Sequence, residues 1–156
     1  MMLQWFTYGA SQVLSKVRIG AVCLCTVTAV QAETVEVIAL GDSLTAGYGL
    51  IDQNGFVPKM RAWLEERGLD VRLVNAGVSG DTTAGGLSRV AWSLNPSTDA
   101  LIVALGGNDL LRGLDPAVSR ANLDGILKVA QENDLEVLIV GMEAPGNYGP
   151  EYKAEF

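Results

Sequence analysis

The sequence contains no histidine in its 156 residues, and this absence limits its chemistry more than any other feature. Histidine is the commonest metal ligand in proteins and a frequent general base. The only two cysteines, Cys23 and Cys25, lie in the first 32 residues. From residue 33 onward there is therefore no thiol nucleophile, no cysteine metal ligand and no disulfide partner. Since no spaced carboxylate cluster is present either, we predict no metal and no other cofactor.

Basic residues are also scarce, because 11 lysines and arginines face 18 acidic residues and leave a net charge of −7. Binding to nucleic acid requires a basic surface, so nucleic acid is not a predicted partner. An apolar content of 49% and a charged content of 19% are typical of a folded globular protein. The length predicts one domain, and nothing in the sequence indicates an oligomeric state.

The first 32 residues differ from the rest in composition. They contain Lys16 and Arg18, no acidic residue, and then an apolar run from Ile19 to Val30. The run is shorter than the roughly 20 residues that span a bilayer, and Val30-Gln31-Ala32 is compatible with a signal-peptidase site. We predict a signal peptide over residues 1–32, a periplasmic or secreted protein, and no stable membrane span after cleavage. An uncleaved membrane anchor is the alternative.

From residue 33 onward, apolar strand patterns alternate with helix patterns. Short β-branched apolar runs that end at glycine predict buried strands, and the intervening apolar periodicity predicts helices. Asp115 and Pro116 are suited to the N-cap and first position of the last helix, whose apolar stripe is Val118, Leu123, Ile126, Leu127 and Ala130. The predicted strands are 35–40, 71–74, 100–105 and 136–140, and the predicted helices are 56–67, 87–94 and 116–132. This alternation predicts an α/β fold with a parallel sheet between two helical layers.

Polar clusters follow three of these strands. They are Asp42-Ser43, the segment 75–82 with Gly80, and Gly106-Gly107-Asn108-Asp109. Ligands of open α/β sheets lie beyond the carboxyl ends of the strands, so the clusters should meet at one edge. Ser43 offers a hydroxyl nucleophile. The Ser43 N–H, the Gly80 N–H and the Asn108 amide are donors that could stabilise an oxyanion, which is the requirement of acyl transfer.

These segments resemble the SGNH, or GDSL, hydrolase family. The segment 37–48, which contains Gly41-Asp42-Ser43-Leu44, resembles its first block, 75–82 its second and 105–109 its third. The segment 144–149 resembles the substrate loop of the branch of periplasmic acyl-CoA thioesterases I, also called lysophospholipases or arylesterases. The resemblance extends from residue 35 to 156. Three such blocks in order, each after a strand, are a specific match.

The resemblance implies roles for individual residues. It assigns Ser43 as the catalytic nucleophile and the Ser43 N–H, Gly80 and Asn108 as the oxyanion hole. It also implies a flavodoxin-like three-layer fold with strand order 2-1-3-4-5, in which the first and third strands are neighbours. The implied activity is hydrolysis of carboxylic esters and thioesters, such as acyl-CoA, lysophospholipid, aryl or short-chain esters, through an acyl-serine.

One family block has no counterpart here. The family carries an Asp-x-x-His block near its C-terminus that supplies the base and its orienting acid, and this sequence contains no histidine. We therefore expect the chain to be truncated at its C-terminus, without the last strand and the C-terminal helix. The block is expected roughly 30–50 residues further on, given typical α/β connection lengths. The chain as printed is expected to have little turnover that depends on a triad.

Each predicted site residue has an alternative explanation. Ser43 could be a helix N-cap, Gly80 a turn glycine with positive φ, and Asn108 the start of an Asx turn. Asp42 and Asp109 are predicted as supporting residues that brace their loops rather than react. Several apolar side chains could line an acyl groove or simply pack, namely Tyr48, Leu50, Leu111, Leu114 and Tyr148.

Two other functions stay open at this point. The same machinery could deacetylate a carbohydrate, and a domain without a base could bind acyl chains or a protein without catalysis. The glycines between Gly41 and Gly49 do not match the spacing of nucleotide-binding fingerprints.

Overall fold

The computed structural model describes residues 33–142, which form a four-stranded sheet flanked by helices. The segment 1–32, predicted as a signal peptide, and the segment 143–156, which contains Tyr148, lie outside the described residues. The strands are β1 Val35–Gly41, β2 Val71–Gly77, β3 Thr98–Ala104 and β4 Glu136–Ile139. The helices are α1 Ser43–Ala46, α2 Phe56–Glu65, α3 Thr83–Ser93, α4 Gly107–Leu111 and α5 Pro116–Glu132, with a 3-10 turn at Asp52–Asn54.

The four strands are parallel and lie in the order β2-β1-β3-β4. Ile38 of β1 lies opposite Val74 of β2 on one side and Leu101 of β3 on the other. The sheet confirms the predicted α/β class and the first four positions of the predicted strand order. Because β1 lies between β2 and β3, the residues that follow it reach the carboxyl edge at the point where the strand order reverses.

The core consists of two apolar clusters, one on each face of the sheet. Ile38 and Leu40 of β1 pack with the α3 and α5 side, where Val90 and Ile126 are fully buried. Ala39, between them in sequence, faces Val57 of α2 on the opposite side. Successive side chains of a strand point to opposite faces, so a continuous apolar run is what a strand covered on both faces requires.

Two element boundaries differ from the sequence prediction by three residues or more, and several others differ by one or two. β2 continues to Gly77 rather than Val74, because Asn75, Ala76 and Gly77 pair with Ala39–Gly41 of β1. Asparagine and glycine are poor strand formers, and here the long-range ladder overrides their local preference. α3 begins at Thr83 rather than residue 87, since the Thr82 hydroxyl oxygen accepts from the Gly85 N–H and caps the helix. The short helix α4 was not predicted.

α5 confirms the predicted cap but not the whole predicted stripe. The Asp115 carboxylate accepts from the Ala117 N–H at 2.9 Å, and Pro116 is the first helical residue. Leu123, Ile126 and Ala130 are buried as predicted. The placement of Val118 in the apolar stripe was wrong, because 52% of its surface is exposed. The buried residue of the first turns is instead Ser119, whose hydroxyl donates to Asp109.

The two outer strands of the described sheet differ in how they are covered. On β2, the Arg61 side chain of α2 donates from Nε to the Leu73 carbonyl at 2.8 Å. At β4, Leu138, Ile139 and the following Val140 remain largely exposed despite their apolar character. Within residues 33–142 no helix is long and apolar enough to cross a bilayer.

Candidate active site

Ser43 is the first residue of α1 and lies directly beyond the carboxyl end of β1. The N-cap of this helix is Asp42, whose carboxylate oxygen Oδ1 accepts from the Leu44 N–H at 2.9 Å. Asp42 is buried, so the hydrogen bond that stabilises the turn between strand and helix is shielded from water. The alternative role of Ser43 as a helix N-cap is therefore wrong, and the bracing contact expected of Asp42 is present.

Asn108 connects the three polar loops. It lies in the first turn of α4, and its side-chain nitrogen Nδ2 donates to the Asp42 carboxylate at 3.2 Å and to the Asp81 carbonyl at 2.9 Å. One partner is therefore adjacent to Ser43 in sequence and the other is adjacent to Gly80. The contacts cross between loops, so the alternative of a local Asx turn is wrong. The structure brings the three predicted segments together at one point of the sheet edge.

Gly80 adopts a left-handed backbone with φ of 81°, a conformation that residues with a side chain rarely adopt. Its carbonyl accepts from Nη2 of Arg112 at 2.6 Å. The next peptide closes a turn, since the Asp81 N–H donates to the Val78 carbonyl at 3.1 Å. The turn-glycine description is thus correct, and it is compatible with the predicted role in an oxyanion hole.

Several backbone donors at this edge make no hydrogen bond within residues 33–142, and the N–H groups of Ser43 and Gly80 are two of them. Neither the Ser43 N–H nor the Gly80 N–H makes a hydrogen bond within residues 33–142, although their neighbours Leu44, Asp81 and Thr82 all do. The first N–H groups of a helix have no partner within the helix, which accounts for Ser43. Together with the Asn108 amide, these donors are chemically able to stabilise a developing negative charge on an acyl oxygen.

Asp109 faces away from this edge into the interior. Its buried carboxylate accepts from the Thr83 N–H at 2.9 Å, from the Thr83 hydroxyl at 2.5 Å and from the Ser119 hydroxyl at 3.0 Å. Asn122 donates in turn to the Thr83 hydroxyl. Asp109 thus fastens α4 to α3 and α5. It supports the position of Asn108, its neighbour in sequence, without facing the site.

Sequence reasoning missed two arginines that contact the site. Arg112 contacts the Gly80 carbonyl, and Arg89 of α3 forms an ion pair with Asp81 at 2.7 Å. A signal for Arg89 was available, because it adjoins the apolar Val90 within the predicted helix 87–94. An arginine next to a buried face usually has a specific acceptor.

Exposed apolar side chains lie close to Ser43 and Asn108 in sequence. Tyr48, Leu50 and Leu111, which the sequence placed either in an acyl groove or in packing, are exposed by 78%, 56% and 79%, so they are not packed in the core. A cavity of about 210 Å³ lies at the carboxyl ends of β1, β3 and β4 and extends to Met142. Among residues 33–142, no group of three acidic side chains is arranged to hold a metal ion.

Comparison with known proteins identifies the family of this chain. Residues 39–155 match the GDSL-like Lipase/Acylhydrolase family. The chain belongs to this family. Esterase TesA of Pseudomonas aeruginosa is 42% identical over 127 residues, and Thioesterase 1/protease 1/lysophospholipase L1 of Escherichia coli K12 is 34% identical over 134 residues. These alignments cover 81% and 85% of this chain.

The structure of AlinE4, an esterase of the SGNH-hydrolase family, superposes on this GDSL chain with a TM-score of 0.75 and 46% identity. That comparison covers 81% of this chain and 68% of AlinE4. The chain spans 63% and 62% of the lengths of the two curated relatives named above. The predicted family is therefore confirmed, whereas the catalytic roles of Ser43, Gly80 and Asn108 stay predictions.

Proposed function

We propose that the protein hydrolyses carboxylic esters and thioesters through an acyl-serine intermediate. Ser43 Oγ bonds to the acyl carbon while a base removes its proton. The carbonyl oxygen becomes an oxyanion that accepts from the Ser43 N–H, the Gly80 N–H and the Asn108 amide. Collapse of this intermediate breaks the bond to the leaving group, which takes up a proton. Water then attacks the acyl-serine, releasing the acid and restoring the Ser43 hydroxyl.

The convergence of donors is the observation that carries this proposal. The Asn108 amide lies between the residue before Ser43 and the residue after Gly80, at 3.2 Å and 2.9 Å from its acceptors. Both of its N–H groups therefore have a protein acceptor. The longer bond, to Asp42, is the weaker one, and we propose that this N–H is shared with the oxyanion during the reaction.

The printed sequence contains no histidine that could serve as the base. We propose that a downstream Asp-x-x-His block supplies the histidine that deprotonates Ser43 and the aspartate that orients it. Reading the gene beyond the Phe156 codon tests this part directly. A frame that supplies no proton acceptor for Ser43 would leave a binding domain as the remaining function.

The proposed substrates are small acyl esters and thioesters, including acyl-CoA and lysophospholipid. The names of the relatives support this class, since one is called an esterase and another a thioesterase and lysophospholipase. The exposed apolar side chains close to Ser43 and Asn108 in sequence also suit an acyl chain. A solved structure of the Pseudoalteromonas esterase EstA, 32% identical to this chain, is described as inhibited by monoethylphosphonate. Such a reagent can trap a serine nucleophile as a covalent adduct.

The experiment uses the full-length gene product and its Ser43→Ala variant, with Ser97→Ala as a control serine at the amino end of β3. We expect hydrolysis of p-nitrophenyl esters and acyl-CoA by the wild type and by Ser97→Ala, and a loss of at least roughly 10⁴-fold in Ser43→Ala. Mass spectrometry should locate one phosphonyl adduct on Ser43. Full activity of Ser43→Ala would overturn the nucleophile assignment, and activity confined to acetylated sugars would replace the proposed substrate class.

A further inference from the structure

Arg89 joins three separate segments at the carboxyl edge of the sheet. Its Nε donates to the Asp81 carboxylate at 2.7 Å, Nη1 to the Ala76 carbonyl at 2.8 Å and Nη2 to the Gly41 carbonyl at 3.0 Å. Every nitrogen of the guanidinium thus has a partner, and the partners come from the loop, from β2 and from β1. Only a planar group with several donors can make these contacts together, which lysine cannot do.

The ion pair is well shielded from water. The Arg89 side chain is 22% exposed and the Asp81 side chain 12%. A β-carbon at Gly85 would overlap the Asp81 carboxylate, so a glycine there is what lets the carboxylate lie against α3. The second carboxylate oxygen accepts from the Thr82 N–H at 3.1 Å. The orientation of Asp81 is therefore fixed on both oxygens.

Asp81 connects Arg89 to the predicted oxyanion site through its backbone. Its carbonyl accepts from the Asn108 amide at 2.9 Å, and its N–H closes the turn that contains Gly80. Within residues 33–142, Arg89 makes no hydrogen bond to Asn108 or Ser43. Arg89 can act on these groups through the Asp81 segment, and also through the Gly41 carbonyl, since Gly41 directly precedes Asp42 in the chain.

We infer that Arg89 is a positioning residue for the oxyanion site: it holds Asp81 so that the Asp81 carbonyl orients the Asn108 amide and the turn presents the Gly80 N–H. This inference rests on the proposed function. A displacement on the order of 1 Å in such a site can reduce the rate by up to about 10²-fold. The loss should appear in kcat rather than in KM, because the donors act mainly on the transition state.

The opposite end of the sheet provides a matched control. There Arg72 lies 3.3 Å from Glu36, and Glu36 accepts from the side-chain amide of Asn95. The set Arg72, Glu36 and Asn95 has the same residue types as Arg89, Asp81 and Asn108 apart from glutamate for aspartate, and it lies at the other end of the sheet. Asn95 binds the carboxylate of its acid, whereas Asn108 binds the backbone carbonyl of Asp81. Arg72→Met removes an arginine from an acid–amide chain without touching the predicted machinery.

The test compares Arg89→Met, Arg89→Lys and Arg72→Met in the full-length protein. We expect kcat to fall on the order of 10–100-fold in Arg89→Met with KM within about threefold, a smaller fall in Arg89→Lys, and no change in Arg72→Met. In ¹H–¹⁵N spectra, Arg89→Met should shift the side-chain amide signals of Asn108 and leave those of Asn95 in place. Arg72→Met should shift the side-chain amide signals of Asn95 and leave those of Asn108 in place.

The two readouts separate this inference from the proposed function. An inactive wild type would refute the proposed function, and the amide signals alone would then decide whether Arg89 positions Asn108. Unchanged Asn108 signals in Arg89→Met would overturn the inference, and so would an unchanged kcat in an active enzyme. If Arg89→Met does not fold, Arg89→Lys and Asp81→Asn provide the same two readouts.

Discussion

Each end of β1 has a buried carboxylate that accepts hydrogen bonds from an asparagine side chain, but only the carboxyl end lies beside the candidate site. At the amino end, the buried Glu36 carboxylate is held by Arg72 and by the Asn95 amide, while the Glu36 N–H donates to Asp99 at 2.7 Å. At the carboxyl end, the buried Asp42 carboxylate is held by the Asn108 amide and the Leu44 N–H.

The difference lies in the donors that remain. Around Glu36, the Asn95 amide and the Thr98 hydroxyl donate to the carboxylate, and the Glu36 N–H donates to Asp99. Around Asp42, the Ser43 N–H and the Gly80 N–H have no acceptor among residues 33–142. A buried acid with polar neighbours is therefore not in itself a functional site. Unpaired donors that converge beside a nucleophile are the feature that indicates one.

The largest expected difference between the two ends is in kcat, when the side-chain amide of Asn108 or that of Asn95 is removed. Asn108→Ala should reduce kcat on the order of 10²–10³-fold in the full-length protein, because it removes one of the proposed oxyanion donors. Asn95→Ala removes an equivalent amide from the amino end and should leave kcat unchanged. Steady-state kinetics with a p-nitrophenyl ester measure both. Equal kcat values in the two variants would show that the two ends do not differ in function.

An intermediate effect is expected from Glu36→Ala, and it should appear in stability rather than rate. The substitution leaves Asn95 and Arg72 without their buried acceptor, which costs about 1–3 kcal/mol of unfolding free energy. Urea denaturation of the full-length protein measures this cost, and kcat should remain within twofold of the wild type. A tenfold loss of kcat at unchanged stability would mean that the amino end also contributes to the site.

The smallest effect is expected from Arg72→Met. The Arg72 side chain is 71% exposed, so its ion pair with Glu36 is screened by water and contributes less than about 1 kcal/mol. The same urea denaturation measures it, at low and at high salt. A loss as large as that of Glu36→Ala would show that Arg72, rather than Asn95, is the principal partner of the buried carboxylate.

Local sequence patterns were sufficient to predict much of the fold. The apolar runs predicted all four strands, and Asp115-Pro116 marked the start of α5 correctly. The predicted boundaries were wrong where distant contacts determine them, as at Asn75–Gly77, which joins β2 through pairing with β1. The predicted burial of Val118 was wrong for a related reason. Helical periodicity predicts which residues share a face, but only the packed neighbours determine how far along the helix that face stays covered.

The sequence by itself determined the family, the parallel α/β class and which residues could act as nucleophile and donors, because these follow from short motifs placed after apolar strands. The signal segment 1–32 stays a prediction. Only the tertiary structure decided that Asn108 spans the Asp42 and Asp81 loops, and that Arg89 and Arg112 hold the segment around Gly80. These contacts join residues up to 66 positions apart, and such distances are set by how helices and strands pack.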